Sequence, residues 1–374
     1  MEKLLQFFKI IIWGYAFVYL VCCLTPYISP LHFPPFTFLA LLFPCFFLGM
    51  LVVLLLGIFI LKKRSFFLLL ILLLGYKNIF STIGLHQSKQ FTQQKSPDNI
   101  RLLSWNVDDF VDCAKQNEYP GCPLRNIFNF IKSTEADVLC FQDYSNYSKN
   151  EFMTSSLKFL VDTLNYKYYY FSVDDPCTKE YFPRRYGTII LSKFPIIDSG
   201  RIAYNRKHAP EHLMYATINI HGKEIRFYNT HLRSMFLGWR PENEHPITKP
   251  FLIDDSAVLT DGDKEEKLKY FDSVHVWQAE QVKQELNKCK LPFVFCADLN
   301  SVPSSYVYQH ISSGLNDAFL QNSFGWGGTY STISPTIRID VALMSKQLNA
   351  TQYYSPHLEN ASDHYPVVAD IKIN

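Results

Sequence analysis

Six short segments end an apolar run on a residue that can hold a cation or move a proton. Asn106 follows Leu102-Leu103-Ser104-Trp105. Gln142 and Asp143 follow Val138-Leu139-Cys140-Phe141. His231 closes the run from Ile225 to Thr230. Asp298 and Asn300 follow Phe293–Ala297, Asp340 lies within Ile337–Met344, and Asp363-His364 precede Tyr365–Ile371. Any one of these is more often a turn residue or a satisfied histidine than a ligand. Six in one chain, with no Lys or Arg among them, form a different pattern. Clustered oxygen donors without neutralising cations repel one another and favour a divalent metal. The two histidines add groups that transfer protons or donate to phosphate.

Such residues act together only if the strands that carry them end on one rim. Alternating apolar runs predict strands at 100–107, 137–142, 166–173, 187–192, 214–220, 224–231, 292–297, 337–344 and 365–373. His221-Gly222-Lys223 reads as the turn of a hairpin. Helices are predicted at 124–133, with Ile127, Phe128 and Ile131 on one face, at 152–164 and at 267–288. Residues 235–265 read as a long polar loop. Hairpin-joined strands with helices between them predict an α/β fold, a two-sheet sandwich with outer helices. Asp340 has a plainer reading, because Arg338 on the same pleat face offers a simple ion pair.

Taken in order, Ser104-Trp105-Asn106-Val107, Phe141-Gln142-Asp143, Asn229-Thr230-His231-Leu232, Ala297-Asp298-Leu299-Asn300, Arg338-Ile339-Asp340 and Ser362-Asp363-His364-Tyr365-Pro366 resemble the endonuclease/exonuclease/phosphatase superfamily. Arg185-Tyr186-Gly187 resembles a family segment less specifically. The resemblance runs from about residue 99 to the C-terminus. It implies a Mg²⁺- or Mn²⁺-dependent phosphoric ester hydrolase. By resemblance Asn106, Asp143 and Asp363 help hold the metal. Asp298 activates or orients the attacking water, and Asn300 donates to phosphoryl oxygens. His364, paired with Asp340, binds the phosphate, and His231 stabilises or protonates the leaving oxygen. The family usually has Glu where Asp143 stands, so direct metal contact here is either lost or mediated by water.

Residues 1–87 have another character. They hold only Glu2, Lys3, Lys9, Lys62, Lys63, Arg64 and Lys77 as charges, which leaves 30 basic and 33 acidic residues in 88–374. Three windows are apolar enough to span a bilayer, 4–24, 36–61 and 66–85, the last interrupted by Lys77. Residues 1–87 are therefore expected to be a membrane region of three transmembrane helices, with two as the alternative. Residues 88–98 read as a polar linker and 99–374 as the catalytic domain. Lys and Arg near the spans put the N-terminus and Lys62–Arg64 in the cytoplasm. Three spans then place the catalytic domain outside the cytoplasm, and two place it inside.

There are nine cysteines. Cys140 and Cys296 sit in apolar strands and read as buried thiols. Cys113 and Cys122 flank a polar loop and could bridge in an oxidising compartment. No Cys-x-x-Cys pair occurs, so a zinc ribbon is not supported. The expected substrate is a phosphoester: a lipid headgroup, a small phosphoester or nucleic acid. The net charge of 88–374 and the absence of long basic runs argue against a duplex DNA groove. A membrane-anchored endonuclease is the alternative within the enzyme class. A catalytically inactive binding module on a membrane anchor is the alternative outside it, and the intact Asp298, Asn300, Asp340, Asp363 and His364 argue against it. No protein partner is predicted.

Overall fold

The computed structural model describes residues 2–373 except 88–90, 109–123, 148–155, 178–183, 205–210, 235–263, 331–335 and 359–360. Cys113, Cys122 and most of the loop 235–265 lie outside the described residues. The chain forms two compact units. One holds 1–83, the described part of 235–280, and 301–311. The other holds 84–234, 281–300 and 312–374.

The first unit is built on α1 (Glu2–Cys22), α2 (Phe36–Leu41), α3 (Phe43–Leu61), α4 (Ser65–Leu74) and α5 (Tyr76–Thr82). Pro44 sits in the first turn of α3, where its missing N–H costs nothing. The chain reverses at Lys62, whose φ is 52°. Small residues let the helices approach closely. A Cβ on Gly49 would meet the Tyr15 ring, and one on Gly57 would meet Leu68. Tyr15 Oη donates to Phe46 O at 3.2 Å, and Tyr19 Oη donates to Leu72 O at 3.2 Å. These pairings make α3 antiparallel to α1 and α4 parallel to it. Among the described residues, two stretches are long and apolar enough to cross a membrane, Glu2–Cys22 and Phe43–Leu74. The second contains the Lys62–Arg64 turn. The expected third window, 66–85, is not one helix. Gly75 separates α4 from α5, and a Cβ there would meet Tyr19 Oη at 2.1 Å, so the position has no room for a side chain. Lys77 lies over the Tyr27 ring, 4.4 Å from its centroid.

The second unit carries β1 (Gly84–Leu85), β2 (Asn99–Asn106), β3 (Val138–Tyr147), β4 (Tyr168–Cys177), β5 (Arg184–Ser192), β6 (Ile196–Ala203), β7 (His212–Ile220), β8 (Lys223–His231), β9 (Phe293–Asp298), β10 (Asn316–Asp317), β11 (Phe324–Gly325), β12 (Asp340–Met344), β13 (Asn349–Tyr354) and β14 (Val367–Lys372). α6 (Leu124–Thr134) and α9 (Ala318–Asn322) belong to this unit, whereas α7 (Lys264–Lys288) is shared between the two and α8 (Tyr306–Ser312) falls almost wholly in the first. Two six-stranded sheets form the sandwich, in the orders β13-β14-β2-β3-β5-β4 and β10-β12-β9-β8-β7-β6. Between them pack Leu102, Val138, Cys140 and Ile190 with Met214, Phe227, Val294 and Cys296. Leu103, Trp105, Leu139 and Phe141 point the other way, with Ile127 and Ile131 of α6. That division is the period-two alternation of a strand. Cys140 and Cys296 are buried free thiols.

Thr92, Gln93 and Lys95 of the expected linker are held on the sandwich, and Gly84–Leu85 ahead of it forms a strand. β1 pairs with β11. The Arg101 guanidinium binds Asp370 at 2.6 and 2.9 Å and also donates to the carbonyls of Thr92 and Gln93. Lys95 pairs with Asp137.

Candidate active site

Each sheet contains one parallel pair. β2 and β3 run together with Asn106 beside Gln142, and β8 and β9 run together with His231 beside Asp298. Parallel strands end on the same side, so these four residues share one rim. Antiparallel neighbours bring their beginnings to it. Asp340 opens β12 opposite Asp298, and β14 pairs Val367 with Ser104, just after Asp363-His364. Gln142 Nε2 donates to Asn229 Oδ1 at 2.7 Å, and Asn229 Nδ2 donates to the carbonyls of Phe141 and Ile189. This buried amide pair ties the two sheets together just beneath the rim.

Asp298 is the centre of the arrangement and is fully buried. Its Oδ2 accepts from Asn106 Nδ2 at 2.9 Å and lies 3.4 Å from His231 Nε2 and 3.6 Å from His364 Nε2. Its Oδ1 accepts the Asn300 N–H at 2.9 Å. Asn300 is left-handed, with φ 46°, a conformation that Asn tolerates when its amide is bonded locally. Asn300 Nδ2 reaches His231 Nε2 at 2.8 Å and Leu232 O at 3.0 Å.

The two histidines are each gripped by a carboxylate. His231 Nδ1 donates to Asp143 Oδ1 at 2.6 Å. His364 Nδ1 donates to Asp340 Oδ2 at 2.9 Å. Burial opposes a charge on His231, but Asp143 and Asp298 outweigh it and raise its pKa to about 10. Burial likewise opposes charge on His364, and Asp340 and Asp298 raise its pKa well above the usual histidine value. Burial pushes the Asp340 carboxyl up, against the pull of His364. In the neutral His231 ring, Nε2 accepts from the Asn300 amide. When Nε2 is protonated, Asn300 must turn its oxygen toward the ring.

All eight residues singled out in the sequence lie at this end of the sandwich. Asp298, Asp340 and His364 form a group whose ligand atoms lie within 4.8 Å of one another. Asn106, Asp143 and Asp363 are set around it. Asn106 Nδ2 is 3.4 Å from Asp143 Oδ2, and Asp363 Oδ1 is 3.9 Å from His364 Nε2. Asp143 is left-handed, with φ 52°, at an irregularity in the β3–β5 pairing. Arg338 does not pair with Asp340. It reaches Asp317 at 2.8 Å and lies over the Phe319 ring. The strand begins at Asp340 rather than Ile337, so the two residues do not share a pleat.

Several contributors were not legible as motifs. Thr329 Oγ1 accepts the N–H groups of Ile339 and Asp340 and so fixes the approach to the Asp340 carboxylate. The Tyr330 ring lies 5.0 Å from the His364 ring. Ser362 Oγ donates to Asn106 O at 2.7 Å and accepts the His364 N–H. Near His231, Asp174 pairs with buried His212 at 2.6 Å, and Arg233 pairs with Glu211 at 3.1 Å. Of these only Ser362 lay within a motif the sequence singled out, Ser362-Asp363-His364-Tyr365-Pro366, and its role there was not assigned.

The sequence profile described as the Endonuclease/Exonuclease/phosphatase family matches residues 103–364. A second profile, a domain of unknown function, matches residues 2–82. No curated protein sequence matches the chain. Among solved structures, the human Nocturnin catalytic domain with bound sulfate is 18% identical over 75% of this chain and 97% of that one, with a TM-score of 0.51. An endonuclease/exonuclease/phosphatase from Beutenbergia cavernae is 17% identical over 75% of this chain and 72% of that one, at 0.50. One from Bacteroides vulgatus is 15% identical over 74% and 99%, also at 0.50. These likenesses are ones of fold.

Proposed function

The chain belongs to the Endonuclease/Exonuclease/phosphatase family, whose enzymes hydrolyse phosphoester bonds, and from that premise we propose a membrane-anchored, Mg²⁺- or Mn²⁺-dependent phosphodiesterase or phosphatase. The observation that carries the reading is the buried Asp298 carboxylate held between Asn106, Asn300 and two carboxylate-gripped imidazoles. A binding module has no use for a buried base flanked by two proton donors.

The donor set suits a hard divalent ion. Asp143, Asp298, Asp340 and Asp363 bring four carboxylates to one rim against two imidazoles, and no thiolate joins them among the described residues. Even with both rings protonated, negative charge remains in excess. Asn106, Asp143 and Asp363 would hold the ion, with Asp143 already engaged by His231. When bound, the ion neutralises charge that develops on phosphoryl oxygens.

The chain's own residues do the rest. Asp298 orients a water and takes its proton. Asn300 offers amide hydrogens to a phosphoryl oxygen. Asp340 holds Nδ1 of His364, which directs Nε2–H at the phosphate. His231, charged by Asp143 and Asp298, gives a proton to the leaving oxygen.

A lipid headgroup or small phosphoester is the favoured substrate. The balance of 30 basic and 33 acidic residues in 88–374 does not supply the phosphate neutralisation that duplex binding needs. Membrane attachment is supported by the large apolar side chains that face outward from the helices, such as Ile10, Phe17 and Phe59 at 69%, 66% and 74% exposure. The test is a substrate panel on the purified full chain, with Mg²⁺ and with EDTA. Bis(p-nitrophenyl) phosphate, phospholipid vesicles, sugar phosphates and plasmid DNA would be compared at one ionic strength. Metal-dependent turnover of lipid or small esters is expected. Plasmid nicking with the others untouched would overturn the substrate preference, and full activity in EDTA would overturn the metal.

A further inference from the structure

An apolar anchor needs no buried hydroxyls or amides, yet this helical region has several, and they converge on one segment of chain. Residues 301–311 belong to the same compact unit as the helices. Thr25 Oγ1, just past α1, donates to Ser304 O at 2.7 Å. Ser81 Oγ, in α5, donates to Pro303 O at 3.1 Å. Ser304 Oγ returns a hydrogen bond to Ala40 O in α2 at 2.7 Å. Asn78 Nδ2 donates to Thr25 Oγ1 at 3.0 Å and to Cys22 O at 3.3 Å, which fixes the threonine rotamer. Gln309 Nε2 closes onto Pro303 O at 2.7 Å. Thr25, Asn78, Ser81, Ser304 and Gln309 are all buried. Bonds of this kind, made away from water, are costly to leave unmade.

The clamped segment is the direct continuation of the site. Ser301 is peptide-bonded to Asn300, whose left-handed backbone lets its N–H reach Asp298 and its amide reach His231. A strained backbone conformation persists only where its surroundings over-determine it. Asp298 fixes one side of Asn300, and the helices fix the chain that leaves on the other. We propose that the helical region is a positioning element of the active site as well as an anchor. Thr25, Asn78 and Ser81 hold 301–305 and thereby keep Asn300 aimed, a role that rests on reading Asn300 as a phosphoryl donor.

The test uses the full chain in lipid nanodiscs. Thr25→Val and Ser81→Ala are made singly and together. Tyr15→Phe, which removes a helix–helix hydrogen bond elsewhere, is the control. Amide hydrogen exchange of a peptide covering 299–306 is measured beside kcat and KM on bis(p-nitrophenyl) phosphate. Exchange in 299–306 should rise about tenfold in the double variant, with the strands unchanged. In the same variant kcat should fall about fivefold or more while KM moves less than about twofold. Thr25→Ser should restore both, and Tyr15→Phe should move neither. Where the double variant does not reconstitute, the single variants carry the comparison. Unchanged exchange at 299–306, raised exchange with wild-type kcat, or an equal loss from Tyr15→Phe would overturn the proposal. A wild-type chain inactive on every phosphoester would overturn the phosphoesterase reading instead, and the exchange measurement would still decide whether the helices hold the segment.

Discussion

At the scale of single residues, the site is a set of carboxylates that each hold something in place. Asp298 touches Asn106 and Asn300 and faces both histidines, so removing its charge should disarm the site without unpacking it. Asp298→Asn and His364→Ala should each lower turnover by roughly 10²-fold or more, while thermal unfolding of the purified chain moves little. A variant with near wild-type turnover would remove that residue from the mechanism. Proton linkage gives a second prediction. The folded-state pKa of His231 is about 10, above the ~6.5 of an unfolded histidine. Its contribution to stability is therefore complete below about pH 6.5 and is lost as pH rises toward 10. Metal-free protein should lose up to a few kcal/mol over that window. His231→Gln should flatten the loss, measured as melting temperature against pH in EDTA. Motif order singled out the eight residues that the fold brings to this rim, because most of them sit at or next to a strand end, where polar residues punctuate the apolar runs. Thr329, Tyr330 and Asp174 were not legible. They act by touching another residue from a loop or an unremarkable strand, and no spacing in the chain records such a contact.

At the scale of elements, the rim exists because each sheet has one parallel pair at its middle. Alternation in the sequence located β2, β8 and β9 to within a residue, helped by the burial of β2 and β9 along their whole length. It ended β3 at Gln142, whereas the strand runs to Tyr147, because Asp143, Ser145 and Asn146 interrupt the apolar run. It missed β6, whose exposed edge carries Asp198, Ser199 and Arg201 and so lacks the apolar signature. It began β12 too early, because apolar Ile337 and Ile339 are buried in the approach to the strand rather than in the strand. Gly187 shows how tightly these elements are fitted. It lies in β5 between β3 and β4, and a Cβ there would stand 2.0 Å from the Ser172 carbonyl oxygen. Backbone cannot give way as a side-chain tip can. Gly187→Ala should therefore cost roughly 1–3 kcal/mol, the usual range for overpacking. It should also perturb Asp143, which lies on the paired strand beside the irregularity at Tyr144. Chemical denaturation measures the first effect, and a weaker apparent Mg²⁺ affinity reports the second. A Gly187→Ala chain of unchanged midpoint would mean that β4 shifts freely.

At the scale of the whole molecule, the proposed membrane attachment carries a prediction about the side on which the site works. Composition alone left two or three crossings, because 66–85 is broken by Lys77 and no hydropathy window sees how helices pair. The pairings do. Tyr15 meets Phe46, Tyr19 meets Leu72, and Gly57 meets Leu68, so α1, α3 and α4 run up, down and up. Glu2 and the Lys62–Arg64 turn then lie at one end of the helices. Thr25, Asn78 and Ser81, with Pro303 and Ser304 bound to them, lie at the other. The basic residues Lys3, Lys62, Lys63 and Arg64 mark the first end, and clusters of this kind stay on the cytoplasmic side. α4 and α5 are shorter than an ordinary span, but their helical stretch runs about 27 Å at 1.5 Å per residue, close to the thickness of a hydrocarbon core. The catalytic residues should therefore lie outside the cytoplasm. An epitope inserted within 62–64 and a second within 235–263 distinguish the orientations. In intact cells or spheroplasts, protease should remove the second epitope and spare the first until lysis. Protection of the second with loss of neither would mean that α4 and α5 turn back without crossing, and the phosphoesterase would then face the cytoplasm.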